Sequence, residues 1–237
     1  MTGTLYGLGV GPGDPELVTV KAVRLVRACP VLAYPAPEHG DSLARAIMAP
    51  HLPGGQVEIA IRMPLSAARF PAAEVYDAAA AAIGEHLRAG RDVAVLCLGD
   101  PLLWGSFIYL LGRLAGRSRV EIVPGVASPM AAASALHLPL AARDDALTIL
   151  PATLPDARLE QALRDAESVA IIKLGRHFGR VRALLDRLGL GVDARYIEHA
   201  TMDSQRVLPV RDVDPDRVPY FSLIIVRRGA AVAAGLR

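Results

Sequence analysis

One segment leaves few choices of fold. Residues 92–106 read "DVAVLCLGDPLLWGS". From Val93 to Leu98 the run is apolar without alternation, which is how a strand covered on both faces reads, and such strands belong to parallel sheets flanked by helices. The same rhythm surrounds it. "TLYGLGV", "PVLAYP", "QVEIAIRMP" and "VEIVPGV" are short apolar runs of strand type. Between them lie "PELVTVKAVRLVRA", "DSLARAIMAPHL", the alanine-rich stretch 72–89 closed by Gly90, "PLLWGSFIYLLGRLAG" and "SPMAAASALHL", which carry helical spacing. Strands alternating with helices predict an α/β domain with a parallel sheet.

After residue 140 the pattern restarts. "ALTILPAT", "SVAIIKLG" and "DARYIEHAT" are strands, with helices "DARLEQALRDAE" and "FGRVRALLDRLGL" between them. Then "QRVLPVRDV" and "PYFSLIIVRRG" follow with no helix between, most simply as an antiparallel pair. The expectation is two α/β domains, each with helices on both sides of its sheet: 1–142 with a parallel sheet and 143–237 with a mixed one.

Composition narrows the partners. Of 237 residues, 52% are apolar, enough for a substantial core in each domain. Net charge is +2, so nothing demands nucleic acid. Among 26 basic residues only Lys21 and Lys173 are lysines, and arginines favour bidentate contacts to carboxylates. Cys29 and Cys97 sit in apolar runs and read as core. No Cys-x-x-Cys and no Cys/His cluster occurs, so no metal site is expected. The start of the chain lacks a basic stretch followed by an apolar one, and "LLWGSFIYLLG" is too short to span a bilayer. A soluble, cytoplasmic protein without membrane partners is the expectation.

The loop "GLGVGPGDPE" resembles a phosphate cradle, but its spacing fails. Read from Gly7, the last glycine position of Gly-x-Gly-x-x-Gly holds Pro12; read from Gly9, it holds Asp14. Asp14 reads instead as a helix N-cap with Pro15 at the first helical position. The carboxyl ends of the strands gather glycine and proline: "GVGPGD", "AYPAPEHGD", "LGDPLLWGS", "VPGVASP". Ligands of parallel sheets bind there. Such an edge suits a flat heterocycle held by backbone atoms. In "GDPLLWGS" the plain alternative is a strand-to-helix turn, with Asp100 as N-cap and Pro101 at N1. The histidines form no metal-binding pair; His39 and His199, at strand ends, are candidates for proton transfer. No nucleophile stands in an activating motif, so no catalytic residue is assigned. That absence fits a reaction in which the substrates supply the reacting atoms and the protein aligns them.

In order along the chain, "GVGPGDPELVTVKAVRLVRACPVLAYP", "GDPLLWGSF" and "VPGVAS" resemble the tetrapyrrole (class III) S-adenosylmethionine-dependent methyltransferases. The resemblance covers nearly the whole chain. Within the family, "YPAP", "GDPLLWGSFIYLL", "LTILPAT" and "PYFSLIIV" are most similar to the members that methylate carbon 20 of precorrin-2. The resemblance implies two α/β domains with a cofactor cleft between them, a homodimer, S-adenosylmethionine as donor and a tetrapyrrole substrate. By matching motif, the implied cofactor contacts are Pro12, Gly99, Asp100 and Pro101, with Leu103 and Ser106 lining the same pocket. Ala127 and Ser128 match the second cofactor segment, Leu174 and Ala200 the positions flanking the adenosine. Gly11, Gly13 and Asp14 would lie on the macrocycle side. Arg62, Arg69, Arg143 and Arg176, at or near strand ends, are assigned to the substrate's carboxylates. Some relatives that act on uroporphyrinogen have an acid directly after the second strand's tyrosine; Pro35 stands there, so that base does not transfer. Cobalt-bearing precorrin-2 and uroporphyrinogen stay open as substrates, and a tetrapyrrole-binding module without turnover is the reading from another class.

Overall fold

The computed structural model describes residues 2–64 and 73–229. It divides into two units, Met1–Ala127 and Ser128–Arg237.

The first unit holds β1 (Thr4–Gly9), α1 (Val20–Ala28), β2 (Val31–Pro37), α2 (Leu43–Met48), β3 (Val57–Met63), α3 (Ala73–Arg88), β4 (Val93–Cys97), α4 (Phe107–Leu114) and β5 (Arg119–Val123). The five strands run in the order β3-β2-β4-β1-β5, and every pairing is parallel. All of β4 is buried, as its unbroken apolar run requires. Its alternate residues serve two cores. Ala94 and Leu96 join Leu8, Leu32 and the buried residues of α1 and α2. Val93, Val95 and Cys97 join Leu5, Val31 and the buried residues of α3 and α4.

Two predicted helices start later than their sequences suggest. Asp14 caps only a single 3₁₀ turn, Pro15–Leu17, accepting the Glu16 N–H at 2.8 Å. Val18 and Thr19 are extended, and α1 begins after Thr19, whose Oγ1 accepts from Ala22 N–H at 3.2 Å. Likewise α4 begins at Phe107, so Asp100 and Pro101 are not its N-cap and N1. Trp104 stands at φ +53°, and a right-handed helix cannot run through it.

The second unit holds α5 (Ser128–Ala135), β6 (Leu147–Pro151), α6 (Asp156–Asp165), β7 (Ser168–Ile172), α7 (Phe178–Arg187), β8 (Ala194–Glu198), β9 (Arg206–Leu208) and β10 (Ser222–Arg227). The sheet is mixed, in the order β6-β7-β10-β8-β9. β6 and β7 are parallel; β10 is antiparallel to both its neighbours. The last two strands therefore do not pair with each other. β10 is buried along Ser222–Val226 and takes the interior, while the short, largely exposed β9 takes the edge beside β8. The division at 127/128, against the expected 142/143, also has a packing reason. Ala132 of α5 belongs to one core with Ala170, Ile172, Ile197, Leu223 and Ile225 of the second sheet. On the opposite face, Val169, Ile171, Tyr196, Ile224 and Val226 meet α6 and α7.

Candidate functional site

The first unit's sheet has a switch point. Strands β1 and β4 are neighbours, yet β1 leads to α1 on one face and β4 leads to α4 on the other. Outside the carboxyl ends of such a pair the diverging loops leave a crevice. Here the two loops are zipped together first. Gly99 N–H donates to the Gly11 carbonyl at 2.8 Å, and Gly11 N–H to the Gly99 carbonyl at 3.4 Å. Both glycines are left-handed, at φ +76° and φ +64°, a conformation that costs a side chain about 1–2 kcal/mol per residue.

The loop after β5 presses into the same junction. A Cβ on Gly125 would lie 2.2 Å from the Gly99 carbonyl oxygen and 2.8 Å from Gly9 backbone atoms. A Cβ on Gly9 would lie 2.5 Å from Gly125 N. Three backbones thus meet where no side chain fits. Asp100 locks the arrangement: Oδ2 accepts Gly125 N–H at 3.1 Å and Oδ1 accepts Leu102 N–H at 2.9 Å. The carboxylate that the sequence suggests as a helix cap instead ties the loop after β4 to the loop after β5.

The other assigned residues fall unevenly. Pro12 follows the zipped Gly11 and is buried; Gly13 and Asp14 are half-buried. Pro101 is buried and Leu103 exposed. Ser106 is half-buried, and burial pushes the pKa of the Tyr76 phenol near it up to about 12. Ala127 ends the first unit and Ser128 opens α5 of the second. Arg62 Nη1 donates to the carbonyls of Pro37, Glu38 and Gly40 at 3.1, 3.4 and 3.3 Å, so it braces the loop after β2. Arg143, at φ +52°, and Arg176 are exposed, both in the second unit. Arg69 lies outside the described residues. His39 is exposed on the loop after β2.

In the second unit β7 and β8 point the same way, with β10 between them. Leu174 follows β7 and Ala200 follows β8, and both are buried. The start of β10 bridges them: Leu174 N–H donates to the Ser222 carbonyl at 3.5 Å and His199 N–H to the Phe221 carbonyl at 2.8 Å. Lys173, His199 and Thr201 are all left-handed, at φ +59°, +50° and +70°. Non-glycine residues held so cost of order 1–3 kcal/mol each and gather at ligand sites. Beneath them the Tyr196 hydroxyl donates to Glu198, which also takes Arg206 Nη1 at 3.2 Å. Burial, then the Glu198 carboxylate, holds the Tyr196 phenol well above its ordinary pKa.

Residues 4–213 match the model of the Tetrapyrrole (Corrin/Porphyrin) Methylases. The chain belongs to this family. It is 46% identical to the cobalamin biosynthesis protein CobIJ of Mycobacterium tuberculosis over 96% of the chain, but spans only 46% of that relative's length. It is 39% identical to a precorrin-2 C(20)-methyltransferase of Sinorhizobium sp, covering 94% of the chain and 95% of the relative. Against the cobalt-precorrin-2 C(20)-methyltransferase of Salmonella typhimurium the figures are 37%, 96% and 98%. Solved folds agree. A cobalt precorrin-4 methyltransferase, CbiF, superposes with TM-score 0.75 at 23% identity, covering 94% of each chain. The uroporphyrin-III C-methyltransferase of Thermus thermophilus, complexed with S-adenosylhomocysteine, gives 0.72 at 24% identity, over 97% of this chain and 100% of that one. Among the described residues no helix is long and apolar enough to cross a membrane.

Sequence reasoning on this family member overlooked Gly9, Gly125 and Phe221. The first two carried a signal, since both stand in glycine-rich strand ends. Phe221 carried none, because its part is played by a backbone carbonyl.

Proposed function

We propose that the protein is a C-methyltransferase of corrin-ring assembly that moves a methyl group from S-adenosylmethionine to carbon 20 of precorrin-2, giving precorrin-3A. The observation that carries this is the likeness, over nearly the full length of both chains, to the Sinorhizobium and Salmonella C(20)-methyltransferases. S-adenosylmethionine supplies an electrophilic methyl on a sulfonium and leaves as S-adenosylhomocysteine. The first unit's junction carries the negative charge of the Asp100 carboxylate, which favours a cationic donor beside it although both oxygens accept backbone N–H groups.

Cofactor contacts are assigned to Pro12, Gly99, Asp100, Pro101 and Leu103 in the first unit, with Ala127 and Ser128 at its end. Leu174 and Ala200 take the same part in the second unit, and Ser106 is assigned to the lining of the pocket with Leu103. The carbon nucleophile comes from the substrate, so the protein's part is alignment, which can supply ~7–11 kcal/mol. Arg143 and Arg176 are exposed and, among the described residues, not braced by carbonyls as Arg62 is, which supports assigning them to the substrate carboxylates. A cytoplasmic homodimer without nucleic-acid partners completes the reading, with the net charge of +2 in its support.

The deciding experiment offers labelled S-adenosylmethionine with precorrin-2, its cobalt complex and uroporphyrinogen III in parallel, without air, and locates the methyl by NMR. Label on carbon 20 of metal-free precorrin-2 is expected. Preference for the cobalt form would favour the reading that the Salmonella likeness supports. Label on uroporphyrinogen alone would overturn the substrate, and failure to bind S-adenosylhomocysteine would overturn the whole reading.

A further inference from the structure

The loop between β4 and α4 carries an apolar run that neither core of the first unit uses. Leu102 is 51% exposed and Trp104 is 40% exposed. Trp104 is the chain's only tryptophan, and its backbone is left-handed at φ +53°. That conformation is imposed from both sides. Asp100 Oδ1 fixes Leu102 N–H at 2.9 Å, and at Gly105 a Cβ would sit 2.5 Å from the Pro101 carbonyl oxygen. The sequence thus keeps a large aromatic where glycine would be easier, and leaves much of its surface in water. Neither choice serves stability, and strain of this kind concentrates at ligand sites.

We propose that Trp104 is a specificity-determining residue whose indole lies against the face of the tetrapyrrole. This rests on the proposed function. A reduced tetrapyrrole has a broad conjugated face ringed by carboxylates. The rim calls for cations and water, the face for a flat apolar surface. The strand-end segments Gly9–Gly13 and Pro124–Gly125, on the same edge, offer almost only glycine, proline and backbone. The Trp104 indole supplies the flat surface there, beside the junction assigned to the methyl donor. Aromatic surfaces meet by offset or edge-on packing, and the indole N–H can keep a wet partner while the ring is covered.

The test measures equilibrium binding of precorrin-2 without air, with S-adenosylhomocysteine present, through the macrocycle's own absorption. Wild type, Trp104→Phe and Trp104→Gly are compared. Glycine accepts φ +53°, so Trp104→Gly keeps the backbone course of the loop. It should weaken precorrin-2 binding roughly 10-fold or more, while Trp104→Phe stays within about 3-fold. S-adenosylhomocysteine affinity by calorimetry and mass by sedimentation should not change. Precorrin-2 binding to Trp104→Gly as tight as to wild type would overturn the proposal. So would an equal loss of S-adenosylhomocysteine, which would mean a collapsed loop, or dissociation of a dimer, which would give the indole to a second copy. If wild type itself binds no tetrapyrrole, the proposed function fails and this inference falls with it; the wild-type arm tells the two failures apart.

Discussion

Gly125 has its Cβ position filled by the Gly99 carbonyl oxygen and the Gly9 backbone, none of which is a side chain that can swing aside. Gly125→Ala is therefore expected to cost about 1–3 kcal/mol or more and to weaken S-adenosylhomocysteine binding with it, read by thermal melting and calorimetry. Asp100→Asn tests the lock from the other side. The carboxylate accepts two N–H groups, from Leu102 and Gly125, with separate oxygens. Asparagine offers one oxygen and turns an NH₂ toward the remaining N–H. The expected loss is about 1–3 kcal/mol, again with weaker cofactor binding. An unchanged melting temperature in Asp100→Asn would mean that the two loops hold their places without it.

Within the second sheet, β10 depends most on partners distant in sequence. It enters between β7 and β8, and its end is clamped by ion pairing of Arg227 with Asp145 at 2.6 Å. Asp145 also accepts the Ala142 N–H at 2.7 Å. The Arg227 guanidinium first, and then that N–H, hold the Asp145 carboxyl below its usual range. A depressed folded-state pKa contributes stability above the unfolded value, and that contribution fades as pH falls through the folded one. Asp145→Asn is thus expected to lower the melting temperature at neutral pH and to converge with wild type in acid. A constant gap across the pH range would show that the clamp acts through shape instead of charge.

For the whole molecule, the thiols report on one unit. Cys29 lies in the core under α1 and α2, Cys97 in the core under α3 and α4, and both are buried. Burial, then Asp92, pushes the Cys29 thiol up to about 12; burial raises Cys97 as well. Neither is a thiolate at mildly alkaline pH, and neither is reachable without opening the first unit. The native protein should give no rapid reaction with a disulfide reagent, and both cysteines should react in concentrated guanidinium. Rapid labelling of either in the native state would show that its helix layer opens readily. The second sheet's own strands contain no cysteine, so its unfolding must be followed by other probes.

Period and punctuation in the sequence determined the α/β class, the strands, most helices and the glycine-proline character of the ligand edge. These are local properties: a two-face apolar run such as Val93–Cys97, or a stop such as Gly90, acts within a few residues. The resemblance marked the "GDP" and "PGVAS" segments in the same local way. Only the tertiary structure decided which loops meet. Residues 9, 99 and 125 converge because handed crossovers put β4 and β5 on either side of β1, and nothing in their own sequence states that order. It decided too that Asp100 ties loops where a local reading makes it a helix cap, since Trp104 turned left-handed and delayed α4. It gave α5 to the second unit, because an alanine-rich face is buried by whichever sheet it reaches, and that sheet lies later in the chain.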